Sequence, residues 1–136
     1  MKYLWDTNTL IYWLNGDTRV EALRLQRGSD NIGLCWPVVL ELVLCTSQST
    51  NVERNIRNAV EVIAAFQPIL ESDGAVMDRF CALRAQFKAK ATPKPEMDVL
   101  IAAHALVHDL TLVTSNGADF EGTPDLRIED WRSSSR

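Results

Sequence analysis

Short apolar segments alternate with longer helical segments along the whole chain, and this alternation limits the fold more than any other feature. Apolar runs that fit strands lie at 2–5, 32–36, just after Pro68, 111–114 and 126–129. Helical patterns fit the segments between them, at 7–14, 17–28, 37–48, 51–66, 73–90 and 95–108. Because strands that alternate with helices are typical of parallel sheets, we predict an α/β domain with a central, mainly parallel β-sheet flanked by α-helices.

Length and composition fit one soluble globular domain. The chain has 136 residues, of which 46% are hydrophobic and 24% charged. No apolar run approaches the roughly 18 residues that a membrane span needs, and an acid at position 6 does not fit a signal peptide. We therefore expect residues 1–136 to form a single cytoplasmic domain, with 131–136 as a flexible tail.

Cysteine content and net charge narrow the class of function. Cys35, Cys45 and Cys81 form no C-x-x-C pair, and an odd, scattered set indicates a reducing compartment rather than a disulfide framework. The net charge of −4 provides no general attraction for nucleic acid. This charge is still compatible with an enzyme that meets phosphate groups through bound cations.

The segment PVVLELVLC, residues 37–45, places Glu41 in an otherwise apolar helix. A helix that is apolar on all sides is normally buried, and an ionised carboxylate buried without a partner is costly or becomes protonated. No Lys or Arg lies within ten residues of Glu41 in the sequence. We therefore expect the compensating charge to come from elsewhere in the fold or from a bound ion.

Three more carboxylates are predicted at the same edge of the sheet as Glu41. Asp6 directly follows the first strand, Asp98 lies in the first turn of an apolar helix, and Asp119 follows the strand at 111–114. Ligands of parallel sheets bind beyond the carboxyl ends of the strands. Acids that meet there repel one another, and hard divalent cations such as Mg²⁺ or Mn²⁺ would let them stay ionised together.

Three of these acids, taken alone, also have a purely structural interpretation. Asp6 is placed to cap the helix that follows it, and Asp98 to interact with the positive end of its own helix. Asp119 fits a turn after a strand. Glu41 has no such explanation, since the middle of a helix needs neither a cap nor a turn. The case for a metal site therefore depends on the four acids together.

Four segments resemble the successive sequence blocks of PIN-domain ribonucleases. They are LWDTNTLIYWL, VVLELVLC, MDVLIAAHAL and LVTSNGADFEGTPDLRIEDW, and they occur in family order over essentially the whole chain. The likeness is greatest to the VapC-type toxins of bacterial and archaeal toxin–antitoxin pairs. The resemblance implies a single PIN-like domain with a parallel sheet between helices.

The resemblance also implies a set of site residues. The three invariant acids of the family and its more variable fourth acid match Asp6, Glu41, Asp98 and Asp119. The polar residues that would support these acids are Thr7, Asn8 and Asn116. Of these, Thr7 and Asn8 would orient Asp6. The family's usual pair of asparagines after the fourth strand reads Ser115-Asn116 here, which leaves open whether Asp119 or Asn116 completes the site.

The activity implied by the resemblance is metal-dependent hydrolysis of RNA phosphodiester bonds. One or two Mg²⁺ or Mn²⁺ ions held by the acids would activate a water and stabilise charge on the leaving oxygen. Family members cut structured RNAs, frequently tRNA, and are masked by an antitoxin protein. A homodimer or a toxin–antitoxin hetero-oligomer is expected, with the first helices (Ile11, Tyr12, Trp13) as either contact surface or ordinary core.

The segment RAQFKAKATPK, residues 84–94, is the candidate RNA-binding region. It contains four cations and no acid and leads toward Asp98. The candidate residues are Lys88, Lys90 and Lys94. The alternative is a solvated helix end, because cations are favoured at the carboxyl end of any helix.

Other functions have less support from the sequence. His104 and His108 have the spacing of a zinc-binding pair but lack the Glu of H-E-x-x-H, and a buried histidine is more often a hydrogen-bonded core residue. DTNT is similar to the phosphatase pattern D-x-D-x-T, but Asn8 replaces the second acid. The main alternative is a PIN-like module that binds RNA or protein without cutting, although degenerate members would be expected to lose acids that this chain retains.

Overall fold

The computed structural model describes residues 1–46 and 52–132. In chain order its elements are β1 (Tyr3–Trp5), α1 (Thr7–Leu14), α2 (Thr18–Arg27), β2 (Ile32–Gly33), α3 (Trp36–Thr46), α4 (Val52–Ala65), α5 (Gly74–Ala89), α6 (Glu96–Val107), β3 (Thr111–Val113) and β4 (Ile128–Glu129). Short 3₁₀ turns lie at Ser29–Asn31 and Gly117–Phe120. The order of helices is the predicted one. Their predicted ends at 47–48 and 51 lie outside the described residues.

The strands form one parallel sheet in the order β2-β1-β3-β4. The register pairs Trp5 of β1 with Val113 of β3, and Val113 in turn with Glu129 of β4. Parallel neighbours need a crossover connection. Here α-helices supply it between β1 and β2 and between β2 and β3, whereas β3 and β4 are joined by a segment with the 3₁₀ turn Gly117–Phe120. This arrangement confirms the predicted α/β fold. It also brings the residues that follow β1, β3 and β4 out at one edge of the sheet.

The strands that pair in the sheet are shorter than the apolar runs predict. β2 and β4 contain two residues each, against five and four predicted. The strand predicted after Pro68 is reduced to an isolated bridge in which Leu70 pairs with Cys35. Because the chain enters α3 directly after Cys35, the ladder cannot continue beyond this point. The backbone N–H of Trp36 still donates to the Leu70 carbonyl at 3.0 Å.

The expectation that the helix around Glu41 is buried on all sides was wrong. One face of α3 packs into the core through Val38, Val39 and Leu42. The opposite face is exposed and apolar, with Trp36, Leu40, Val43 and Leu44. A helix that is apolar all round has no periodicity that could tell its buried face from its uncovered one. Glu41 lies between the two faces and is partly exposed.

An aromatic cluster around Trp5 forms the centre of the core. The Trp5 ring lies 5.5 Å from Phe66, 5.8 Å from Trp13 and 5.9 Å from Trp131. Trp131 is 2% exposed, and its ring also contacts the edge of Tyr3. Trp131, which we expected to lie in a flexible tail, is therefore part of the core. Residues 133–136 lie outside the described ranges. In the described part of the chain, no helix has the length and apolarity to cross a bilayer.

We predict that Trp131→Ala lowers the free energy of unfolding by about 3 kcal/mol or more, because it leaves a cavity among large rings. Urea unfolding followed by fluorescence and circular dichroism measures the change. Trp36→Ala is the matched control, since Trp36 is 42% exposed on α3, and it should change stability by less than about 1 kcal/mol. Equal effects of the two substitutions would show that Trp131 does not belong to the core.

Candidate active site

Asp6 is held where the chain leaves β1 and enters α1. Its Oδ1 accepts a hydrogen bond from the backbone N–H of Thr9 at 2.9 Å and so caps the helix. A second hydrogen bond joins its carboxylate to the side chain of Thr114. Burial raises the pKa of Asp6 above its ordinary value, whereas these two hydrogen bonds oppose the rise. Asp6 is therefore both a helix cap and a buried acid at the sheet edge.

Glu41 is fixed by the first residue of α1. The hydroxyl of Thr7 donates a hydrogen bond to Oε1 of Glu41 at 2.6 Å, and Thr7 itself is buried. The resemblance led us to expect that Thr7 orients Asp6, but its hydroxyl is directed to Glu41. Because Asp6 and Thr7 are adjacent, the start of α1 holds two acids that come from different parts of the chain.

The pKa of Asp98 reflects the charges of the other predicted acids. It lies in the first turn of α6 and is partly buried. Burial and the negative charges of Glu41, Asp119 and Asp6 raise the pKa of Asp98 to about 6, and the positive charge of Lys94 opposes the rise. Charges act on one another in this way only over short distances in water. The fold therefore brings Glu41, Asp119 and Asp6 near enough to Asp98 for their charges to act on it, and we call these four residues the acid cluster.

The direction of the shift also bears on the structural interpretation of Asp98. A carboxylate that only stabilised the positive end of a helix would have a lowered pKa. The pKa of Asp98 is raised instead, first by burial and then by the acids around it, so the helix dipole does not decide its charge state. Burial is thus the main cause of the raised pKa of Asp98, and repulsion by Glu41, Asp119 and Asp6 adds to it.

Asp119 and Asn116 lie in the segment after β3, and both are exposed. Asp119 belongs to the 3₁₀ turn Gly117–Phe120, and its backbone N–H donates to the Asn116 carbonyl. The backbone N–H of Asn116 donates to Oγ1 of Thr114 at 3.0 Å. Within the described ranges, no hydrogen bond joins the side chain of Asn116 or of Asn8 to an acid. Of the two residues, Asp119 is the one whose charge acts on Asp98, and which of them completes the site stays a prediction.

Two residues at this edge were missed by the sequence analysis. Thr114 follows β3 and is buried beside Asp6, and Asp130 follows β4, where its negative charge further raises the pKa of Asp6. The sheet register explains both positions. The pairs Trp5–Val113 and Val113–Glu129 make Asp6, Thr114 and Asp130 lateral neighbours. The rule that identified Asp6, a polar residue directly after a predicted strand, would have found Asp130 as well. Thr114, however, falls inside the predicted strand 111–114 and follows the strand only as the structure has it, Thr111–Val113.

The charges and donor atoms of the acid cluster fit a hard divalent cation. In residues 1–46 and 52–132, the salt bridges of Lys and Arg use other acids. The donors are all oxygen atoms, which Mg²⁺ and Mn²⁺ prefer. The same ranges contain no group of three or more acidic, histidine or cysteine side chains already arranged to hold a metal ion. The acid cluster therefore has the charge and the ligand atoms that a divalent cation needs, but its side chains are not yet arranged as a coordination site.

His104 is a core residue, as the more common interpretation of a buried histidine predicts. Its Nδ1 lies 2.9 Å from the Leu100 carbonyl oxygen, and its Nε2 lies 3.2 Å from the Ser72 hydroxyl. Burial lowers the pKa of His104. His108 follows the last turn of α6 and is exposed. A zinc site on this pair therefore has no support.

The three predicted RNA-binding lysines lie in two different places. Lys88 and Lys94 line a pocket beside the start of α6. Lys94 also donates from Nζ to the carbonyl of Ala118 at 3.3 Å, next to Asp119. Lys90 caps the carboxyl end of α5 and does not line this pocket. Two of the three lysines are thus beside the acid cluster.

Comparison with known protein families agrees with the parallel sheet and the acids at its carboxyl edge. The sequence pattern described as "PIN domain" matches residues 3–126. The chain belongs to the PIN-domain family. It is 30% identical over 131 residues to the tRNA(fMet)-specific endonuclease VapC of Salmonella typhimurium, a match that covers 96% of this chain and 98% of the relative. Ribonuclease VapC2 of Rickettsia felis is 29% identical over 133 residues, with the same coverage.

Solved structures of PIN-domain proteins extend the likeness to three dimensions. The DNA-bound VapBC of Salmonella typhimurium superposes with a TM-score of 0.86 at 29% identity, over 96% of this chain and 98% of the other. VapBC2 of Rickettsia felis bound to a promoter DNA fragment gives a TM-score of 0.83 at 27% identity, over 96% and 99%. These matches confirm the resemblance to the VapC group and the predicted fold. The roles of individual acids remain predictions.

The raised pKa of Asp98 predicts how stability depends on pH in the metal-free protein. The pKa is about 6 in the folded state and about 4 in an unfolded chain, so ionisation of Asp98 opposes folding. This penalty is small near pH 4 and complete above about pH 7. Asp98→Asn should therefore stabilise the metal-free protein near pH 8, on the order of 1 kcal/mol after solvent screening of a partly exposed group.

Urea unfolding near pH 4 and pH 8 in the presence of a chelator measures this difference. Asp78→Asn, an exposed acid on α5, is the control and should change stability by less than about 0.5 kcal/mol at either pH. If Asp98→Asn had no effect or destabilised the protein near pH 8, then burial and the neighbouring acids would not raise the pKa of Asp98 in solution.

Proposed function

We propose that this protein is a metal-dependent endoribonuclease that acts as the toxin of a toxin–antitoxin pair. One observation carries the proposal, namely the crowding of Asp98 by three further acids from separate parts of the chain. The match to relatives named ribonucleases and endonucleases, which spans almost the whole of both chains, supports it. A domain that only bound RNA would gain nothing from negative charge at this edge, because phosphate groups are repelled by it.

The chain's own residues would prepare the site in three ways. Thr9 and Thr114 hold Asp6, and the Thr7 hydroxyl holds Glu41, so that both carboxylates are oriented before a cation arrives. Asp98, with a pKa of about 6, is mostly ionised at neutral pH.

The proposed ligands of the cation are Asp6, Glu41, Asp98 and Asp119. One or two bound Mg²⁺ or Mn²⁺ ions would supply an activated water and stabilise charge on the leaving oxygen of the phosphodiester.

The proposed partners follow from the relatives. The Salmonella relative is named as specific for tRNA(fMet), and we propose an RNA substrate, such as tRNA, for this chain. The solved relatives are VapBC complexes, and we propose that a cognate antitoxin masks the acid cluster in a hetero-oligomer. Trp13 packs against Trp5 and Phe66 and is partly buried, so its ring belongs mainly to the core. The scattered free cysteines support a cytoplasmic site of action.

We predict that Asp6→Asn lowers RNA cleavage by at least about 100-fold, because it removes one charge from the proposed cation site. Asn caps helices as well as Asp does, so the variant should keep its fold, which circular dichroism verifies. The assay incubates purified protein and total RNA with Mn²⁺, and a chelator should abolish cleavage. Asp78→Asn is the control and should cut like the wild type.

The alternative, a PIN-like module that binds without cutting, makes a different prediction. The wild type and Asp6→Asn would then leave RNA equally intact at every Mn²⁺ concentration, while both still bound it. That result would overturn the proposed nuclease.

We also predict that Thr7→Val weakens activation by Mn²⁺ about 10-fold or more, since loss of a hydrogen bond that orients a metal ligand has effects of this size. Valine keeps the shape of threonine but cannot donate to Glu41. Thr7→Ser retains the hydroxyl and should behave like the wild type. The half-saturating Mn²⁺ concentration for RNA cleavage measures the effect. Equal values for the valine and serine variants would exclude a role for the Thr7–Glu41 hydrogen bond.

A further inference from the structure

A pocket of about 320 Å³ opens between the carboxyl end of α5 and the start of α6. Its rim contains three cations, Arg84, Lys88 and Lys94, and its floor contains the buried side chains of Phe87 and Val99. We call it the basic pocket. Cations around an apolar floor are suited to a ligand that has both negative charge and an apolar part, as a nucleotide unit has.

The basic pocket adjoins the acid cluster. Val99, in its floor, directly follows Asp98 in α6. Lys94, in its rim, donates a hydrogen bond to the carbonyl of Ala118, one residue before Asp119. The positive charge of Lys94 also acts on Asp98. A polymer that lies in the basic pocket would therefore continue directly to the acids.

The cations of the basic pocket are not all neutralised within the protein. Arg84 forms an ion pair with Glu96 at 2.8 Å, and Glu96 also lines the pocket. Lys94 is bonded to a carbonyl rather than to a carboxylate. Lys88 is exposed and belongs to no salt bridge between described residues. A surplus of positive charge thus remains in a protein whose net charge is −4.

We propose that the basic pocket binds a backbone phosphate of RNA adjacent to the bond that is cut, with Lys88 and Lys94 as its charged contacts. This inference rests on the proposed nuclease function. The acid cluster repels an approaching RNA strand until cations are bound, so a neighbouring positive site is needed to hold the strand in place. The Phe87 and Val99 floor would contact the attached sugar or base.

The competing explanation is that these lysines only suit the carboxyl end of α5. Lys90 separates the two explanations, because it caps α5 but does not line the basic pocket. If charge at the helix end were all that mattered, Lys90 and Lys88 would be equivalent. If the basic pocket binds phosphate, Lys88 matters and Lys90 does not.

The experiment measures RNA binding separately from cleavage. The probe is a fluorescein-labelled, unstructured RNA of about 20 nucleotides, titrated with full-length Asp6→Asn protein across a range of salt concentrations. Adding Lys88→Ala or Lys94→Ala should weaken binding about 3- to 10-fold at low salt and reduce the slope of log affinity against log salt by about 1. Adding Lys90→Ala should weaken it less than about twofold.

Two further measurements refine the test. Glu96→Gln removes the negative charge from the rim and should strengthen RNA binding about two- to threefold. In the active protein, Lys88→Ala should raise KM for RNA with little change in kcat, because a contact to an adjacent phosphate is the same before and during the reaction.

Each outcome decides a definite point. Equal affinities and salt slopes for the Lys88 and Lys90 variants would overturn the inference while leaving cleavage by the wild type, and hence the proposed function, intact. Conversely, a wild type that fails to cut RNA, with binding that still depends on Lys88, would overturn the nuclease and retain the pocket. If the lysine variants lost binding only to a poly-glutamate peptide, the occupant would be an acidic protein segment and the inference would fall.

Discussion

Parallel pairing of β1 with β3 is the constraint on which the site depends. The register sets Trp5 against Val113, and the backbone N–H of Asp6 then donates to the Val113 carbonyl at 3.1 Å. An antiparallel partner would have sent the next residue to the opposite edge of the sheet. Because both strands end at the same level, Thr114 reaches Asp6 and the segment that carries Asp119 begins beside it. The fold thus determines which oxygen atoms meet before any ligand is present.

The acid cluster destabilises the folded chain, and hydrogen bonds only partly offset this. Thr7 supports Glu41, and Thr114 supports Asp6, but Asp98 retains a pKa of about 6. Proteins often keep unfavourable electrostatics where function requires them. Repulsion among these acids would also favour cation binding, because a bound cation neutralises the acid cluster and removes the repulsion. If the acid cluster binds a cation as proposed, metal affinity and folding stability would be coupled through the same residues.

The sequence was sufficient for the fold and the helix order, because both depend on patterns with a fixed period. It also placed Asp6 directly after the first strand, whereas the roles of the four acids stay predictions. It was not sufficient for side-chain partners. Nothing in the letters DTNT shows that the Thr7 hydroxyl points to Glu41, because that contact spans 34 positions. The exposed face of α3 was hidden by its uniform apolarity. Likewise, Lys88 and Lys90 look alike in sequence, and only the packing of α5 on α6 separates them.

The end of β4 joins two roles in consecutive residues. Asp130 adds its charge to the sheet edge beside Asp6, and Trp131 inserts its ring next to Trp5. The indole N–H of Trp131 also donates a hydrogen bond to Oε1 of Glu129 at 2.9 Å, which helps to fix the ring. Proteolytic trimming that reached this point would remove a core ring and alter the electrostatics of the acids in one step. Any truncation, affinity tag or fusion should therefore leave Glu129, Asp130 and Trp131 in place.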